Sequence, residues 1–270
     1  MTAAGYLRAL RAVVWRELLR FVHQRERFVS ALVRPLVWLL IFAAGFRAAL
    51  GVSVQPPYET YITYETYILP GLCAMILLFN GMQSSLSMVY DREMGSMRLL
   101  LVSPLPREFL LTAKLLAGSA VGILQVYAFL GVAALFGIAA PPDGYVTVLP
   151  ALLLAGLMLG AVGMLLSSTI RQLENFAGVM NFVIFPAFFL SSALYPLWKM
   201  RESSELLWQV CRFNPFSHVV ELVRFALYGQ VDGTALGWVV LTMIVVLLLS
   251  FWAYNPARGL MPRKAGAGDA

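Results

Sequence analysis

The sequence predicts an all-helical integral membrane protein with six transmembrane helices, and three observations carry that prediction. First, 60% of the 270 residues are hydrophobic and only 13% are charged, with a mean hydropathy of +0.77, whereas a soluble domain carries about 25% charged residues. One soluble core does not hide so much apolar surface, which leaves lipid as its solvent. Second, six apolar runs reach the length of about 20 residues that crosses a bilayer as a helix: 32–50, 67–89, 112–136, 147–168, 176–197 and 236–254. Third, the basic residues are unevenly divided. Six spans put both termini on one side, whose segments (1–34, 90–114, 169–175 and 255–270) hold 15 of the 20 Lys and Arg; 51–66 and 137–146 hold none and 198–235 hold four. By the positive-inside rule the richer side, with both termini, is cytoplasmic.

Several classes are excluded at this stage. Cys73 and Cys211 show no C-x-x-C or zinc spacing and His23 and His218 lie far apart, so no metal site is expected. A disulfide requires both cysteines to face an oxidising compartment; two unpaired thiols is the plainer reading. The net charge of +6 comes without a basic, aromatic-interleaved stripe outside the spans, so nucleic acid is not an expected partner. A basic stretch of about thirty residues precedes the first apolar run, too long for the charged region of a cleavable signal.

The elements follow in order. Residues 1–30 predict an amphipathic helix lying in the inner interface: Leu7, Leu10, Val14, Leu18 and Phe21 share a stripe, Arg8, Arg16 and Arg20 fall largely off it, and Trp15 suits an interfacial belt. Arg34-Pro35 fits the start of span one, with Pro35 in its first turn; Arg47 then lies in the outer part of that helix, snorkelling or touching a headgroup. The repeat "YETYITYETYILPG" (58–71) stacks tyrosines where water meets lipid, as anchors or as a stacking platform. Span two carries Asn80, Gln83, Ser84 and Ser87 on one face. Such groups turn toward the bundle or a cavity, either lining a path or bonding neighbouring helices, and Asn181 in span five poses the same choice. Gly118-x-x-x-Gly122 and Gly156-x-x-x-Gly160 allow close backbone packing.

Residues 90–102 predict a short amphipathic helix: Tyr90, Met94, Met97 and Leu101 fall within an arc of roughly 60°, while Asp91, Arg92 and Arg98 point elsewhere. Ser103-Pro104 then supplies an N-cap and a first helical residue for span three. On these residues alone the segment either floats at the interface or docks a partner protein. In span five Pro186 and Pro196 flank Ser191 and Ser192 and predict a broken outer half, its freed carbonyls satisfied by serine hydroxyls or water. Asn214-Pro215 reads as an N-cap and first residue of a helix running to Tyr228 and ended by Gly229, with Val219, Val220, Val223 and Leu227 as its apolar face and Glu221 and Arg224 as flanking charges. Residues 262–270 read as a disordered tail.

Four blocks, "YETYILPGL", "YDREMGSMRLLLVSPLPREFLLTAKLL", "FPAFFLSSALYPL" and "FNPFSHVVELVRFALYG", resemble in order the signatures of permeases of the ABC type 2 exporter class, six-span subunits that move drugs, lipids, lipo-oligosaccharides and polysaccharides. Ser192 departs from the glycine that many relatives carry there. More narrowly, the chain is similar to permeases that accompany quinoprotein alcohol-oxidation systems in proteobacteria. The resemblance implies that 90–102 is a cytoplasmic coupling helix seated on a separate ATPase. Arg92 and Glu93 would make its polar contacts, Met94, Met97 and Leu101 its apolar ones, within a block that also holds Tyr90, Asp91, Gly95 and Arg98. It further implies that the N-terminal helix is an interface helix beside it, and that 191–228 form outer re-entrant helices closing the exit, with Pro186, Pro196, Asn214 and Pro215 at this gate.

Independently, the sequence contains no G-x-x-x-x-G-K-[ST], and none of its three lysines follows a glycine, so a P-loop is absent. The expectation is a permease subunit in a bacterial inner membrane, paired with a second copy of itself and two copies of a cytosolic ATPase that holds the ATP and Mg. The chain itself needs no cofactor, and it exports an amphipathic or hydrophobic cargo along a path lined by Asn80, Gln83, Ser84, Ser87, Asn181, Ser191 and Ser192. The competing classes are a polytopic membrane enzyme, for which clustered acidic or histidine residues are missing, and an energy-independent channel or scaffold.

Overall fold

A computed structural model describes residues 3–23, 25–46, 56–60, 62–93, 105–170 and 172–254. Among them the elements are helices: α1 (Ala3–His23), α2 (Arg25–Phe46), α3 (Tyr64–Glu93), α4 (Arg107–Leu135), α5 (Gly144–Thr169), α6 (Leu173–Phe189), α7 (Leu197–Ser203), α8 (Glu205–Phe213), α9 (Pro215–Ala226) and α10 (Gly233–Ala253). Four are long and apolar enough to cross a membrane: α3 over Tyr64–Tyr90, α4, α5 and α10. Val29–Phe42 within α2, and α6, are apolar but shorter.

The centre is α3, which packs against α2, α4, α5, α6 and α9. From Tyr64 to Met82 it is apolar nearly all round and buried along almost its whole length, as a central helix must be. Its closest neighbour is α5, and the reason is a meeting of glycines: a Cβ on Gly81 would stand 3.0 Å from the Gly160 nitrogen, and one on Gly163 would stand 2.9 Å from the Gly81 carbonyl oxygen. Gly118, Gly122 and Gly156 of the two small-residue motifs likewise lie against Ser84, Asn80 and Ser119. By contrast α10 is peripheral, with Leu241, Leu248 and Trp252 exposed, a surface suited to lipid. Arg107 Nη1 donates to the Tyr254 carbonyl at 2.7 Å, tying the start of α4 to the end of α10.

Four sequence readings are corrected here. Pro35 is not in a first turn: α2 begins at Arg25 and runs through it, since one proline removes a single donor from an otherwise continuous ladder. Tyr90–Glu93 do not open a separate helix but form the last turn of α3; 94–102, Ser103-Pro104, Arg47, the side chains of 91–93 and the tail lie outside the described residues. Leu7 is 68% exposed although its stripe-mates Leu10, Val14 and Leu18 are half-buried and Phe21 is buried. The helix packs on α4, where Tyr6 meets Phe109 edge-on at 5.0 Å. Finally, Tyr58, Tyr64 and Tyr67 of the tyrosine repeat are core residues rather than interfacial anchors.

Candidate functional site

The polar residues of the apolar bundle gather in two places. One lies at the Tyr64 end of α3. There α6 stops at Phe189, three residues after Pro186, and the chain turns before Pro196 leads into α7. The carbonyls freed by this break are taken up locally. Ser191 Oγ donates to the Phe188 carbonyl at 2.6 Å, and Asn214 Nδ2 donates to those of Ala187 and Leu190 at 2.8 and 2.6 Å. The same Asn214 caps α9 through Oδ1, which accepts from the Phe216 amide at 3.0 Å, with Pro215 at the first helical position. Gly229, at φ +67°, ends that segment as the sequence predicts.

Behind this turn is an ion pair that sequence reasoning misplaced. Arg224 does not flank α9 but is 2% exposed. Its Nη1 pairs with Glu221 Oε1, its Nη2 donates to the Ser192 carbonyl at 2.9 Å, and its guanidinium covers the Tyr67 ring. Tyr67 Oη donates to that same carbonyl at 3.0 Å, and Tyr64 Oη donates to the Leu194 carbonyl at 2.8 Å. Ser192 Oγ reaches the Ser217 carbonyl at 3.4 Å. A guanidinium so deeply placed needs partners, and it finds them at two of its three nitrogens: Glu221 meets Nη1 and the backbone turn meets Nη2, while the buried Nε makes no hydrogen bond among the described residues. Ser191 and Ser192 are both fully buried in this turn, their hydroxyls bonded to backbone carbonyls.

The second place is the half of α3 nearer Glu93, where the polar face of the span divides. Asn80 Nδ2 donates to the Gly118 carbonyl at 2.7 Å and joins α3 to α4. Ser84 lies against Gly118, and with Ser85 and Ser119 it lines a narrow crevice between α3, α4 and α5 with room for about one water. Ser87, exposed, donates to the Ser84 carbonyl at 2.7 Å. Gln83 instead faces a second cleft, between α2, α3 and α4, which also contains Arg34, Phe79, Asn80 and Gln125. Asn181 is exposed on α6, away from both. Gln125 was not singled out by sequence; a lone glutamine in an apolar helix was its one signal.

Cys73 and Cys211 are separate, buried and unpaired, and burial pushes the Cys211 thiol up. Among the described residues no three His, Cys, Asp or Glu side chains are grouped to hold a metal.

The sequence pattern of the ABC-2 type transporter family matches residues 8–228. Among similar proteins, one carrying the name transport permease ycf38, from Cyanophora paradoxa, is 25% identical over 228 residues, 83% of this chain and 76% of that protein. Nodulation protein J of Rhizobium leguminosarum bv. viciae is 22% identical over 227 residues, 80% of this chain and 82% of its own. YbhR of Escherichia coli (strain K12), named as a multidrug ABC transporter permease, is 32% identical over 175 residues, 62% of this chain and 45% of its own.

Proposed function

The chain belongs to the ABC-2 type transporter family, and on that premise we propose that it is the permease of an ATP-driven exporter that moves an amphipathic or hydrophobic cargo out of the cytoplasm. The family match across 8–228 carries this reading, and the absence of a P-loop from the sequence supports it: the energy comes from another polypeptide. Two copies of the chain and two of a cytosolic ATPase make up the working unit, in a bacterial inner membrane with both termini inside. ATP and Mg reside on the ATPase.

In this reading the ATPase grips residues 90–102 together with the N-terminal helix. Because α3 is continuous to Glu93, a push at that end reaches the Tyr64 end as a rigid-body displacement, where the turn held by Ser192, Asn214 and Arg224 closes or opens the exit. Affinity purification in mild detergent tests the proposal. A nucleotide-binding subunit should co-elute, and candidate cargoes should stimulate its hydrolysis. Uphill transport by vesicles holding this chain alone would overturn it.

A further inference from the structure

The cleft between α2, α3 and α4 holds an imbalance of hydrogen-bonding groups. Arg34 stands with its guanidinium 4.0 Å over the Phe79 ring, and no carboxylate pairs with it among the described residues. Gln125 is 1% exposed, and its Nε2 is buried without a hydrogen-bond partner. Gln83, half-buried on the facing helix, makes no hydrogen bond among the described residues either. Asn80 also lines the cleft, with one donor of its Nδ2 held by the Gly118 carbonyl. None of the lining residues is acidic, and the cleft is a narrow one, with room for one or two water-sized groups, partly open to the surroundings.

A buried amide donor left unmade is costly and rare in native structures. A guanidinium, exposed at the mouth of the cleft, and two amides line one space that holds no anionic group, and the buried Gln125 Nε2 is left unmet within it. We propose that this cleft binds a phosphate group, with Arg34 supplying the charge and a forked pair of donors and with Gln83 and Gln125 completing the donor set. Phosphate suits it better than carboxylate because three separate donor groups match its greater number of oxygens. The apolar walls, Phe79, Met75 and Ile76, take the part of a molecule that follows the phosphate. The inference deepens the transport reading by giving the cargo a charged head, but it concerns binding alone and is measured without nucleotide, so the two fail separately.

The test uses the full chain, purified with any co-eluting subunit and stripped of lipid in neutral detergent. Thermal unfolding and displacement of a fluorescent anionic lipid are followed on adding phosphatidylglycerol, phosphatidylcholine or inorganic phosphate. Phosphatidylglycerol should bind at least about tenfold tighter than phosphatidylcholine, and Arg34→Gln should erase that preference. Gln125→Leu gives a signature that a purely structural glutamine would not: the lipid-free protein melts higher, because an unmet amide is gone, while the protection given by phosphatidylglycerol falls about tenfold. Inorganic phosphate displacing the probe in an Arg34-dependent way places the same chemistry in a soluble ligand and supports the site. No preference for the anionic lipid together with no effect of phosphate overturns it, as does a preference that Arg34→Gln and Gln125→Leu both leave intact.

Discussion

The guanidinium of Arg224 lies 4.2 Å from the centre of the Tyr67 ring, and the two side chains donate to one acceptor, the carbonyl of Ser192. Three segments distant in sequence, the first turn of α3, the break after α6 and the body of α9, are thus joined at a single backbone oxygen. The charge is balanced by Glu221 on the same helix, so the whole polar assembly is carried inside an apolar bundle without an uncompensated ion.

Removing the arginine should be severe. Arg224→Ala opens a void among buried groups, strips the Ser192 carbonyl of one donor and leaves the half-buried Glu221 without its partner; because solvent partly reaches that carboxylate, the expected cost is about 2–4 kcal/mol rather than the full penalty of a buried orphaned charge. Tyr67→Phe removes one donor to a carbonyl that keeps another, and should cost about 1 kcal/mol. Thermal unfolding in detergent measures both. In the double variant the two losses should not add, because ring and guanidinium share contact and acceptor; strict additivity would show that the stacking carries no energy.

Glycines with and without neighbours should behave oppositely. A Cβ on Gly71 would lie 2.7 Å from the Ala193 carbonyl oxygen and 2.8 Å from its Cα, both backbone atoms that do not move aside. Gly71→Ala should therefore destabilise by about 1–3 kcal/mol or prevent insertion. Gly178, inside α6, has nothing within 4 Å of its Cβ position. There the same change should be neutral or stabilising by up to about 1 kcal/mol, through helix propensity. Unfolding midpoints of the two variants decide it.

The bundle's long helices were legible because lipid demands runs of about 20 apolar residues, a signal that survives any detail of packing. Asn214-Pro215 was legible as well, since a cap is a local event. What failed was lateral. Tyr64 and Tyr67 have the composition of an interfacial belt, and only the turn around Ser192 and Leu194, some 125–130 residues away in sequence, turns their hydroxyls into core groups. Arg224 sits beside an apolar stripe at helical spacing and so reads as a flank. But α9 is covered on nearly every side, with Phe216, Val219, Leu222, Val223 and Ala226 all buried, and a single helix's pattern does not reveal how many neighbours will surround it. The cleft of Arg34, Gln83 and Gln125 is likewise an assembly of three helices, and no one helix's pattern reveals that these side chains share a space.

Acid should weaken the α9–α10 contact. His218, outside the four long spans, stacks on Trp238 with ring centres 5.1 Å apart and planes 6° from parallel, while its Nε2 donates to the Arg212 carbonyl at 3.0 Å. Burial, only partly opposed by that carbonyl and by Asp232 and Glu221, pulls its pKa below the ordinary value. With the folded value depressed, the unfolded chain takes the proton more readily. The contribution to stability is therefore complete above about pH 6.5 and is lost as pH falls through the folded value. The unfolding midpoint should drop between pH 7 and 5, and His218→Gln should flatten that slope; an unaltered slope would place the acid sensitivity elsewhere.

The reading of residues 90–102 as the ATPase handle rests on α3 being one stiff body. Its 30 residues span about 45 Å at 1.5 Å per residue, with Tyr64 and Tyr67 bonded to the turn at one end and Glu93 leading into the handle at the other. Reversing the charge at that junction attacks docking without touching the core around Tyr64–Met82. Glu93→Arg should therefore insert into membranes and melt as the native protein does, yet lose co-purification of the ATPase or the hydrolysis coupled to it. If both survive at native levels, residues 90–102 are not the handle, and the drive must enter through another element, for which the N-terminal helix packed on α4 is the next to be altered.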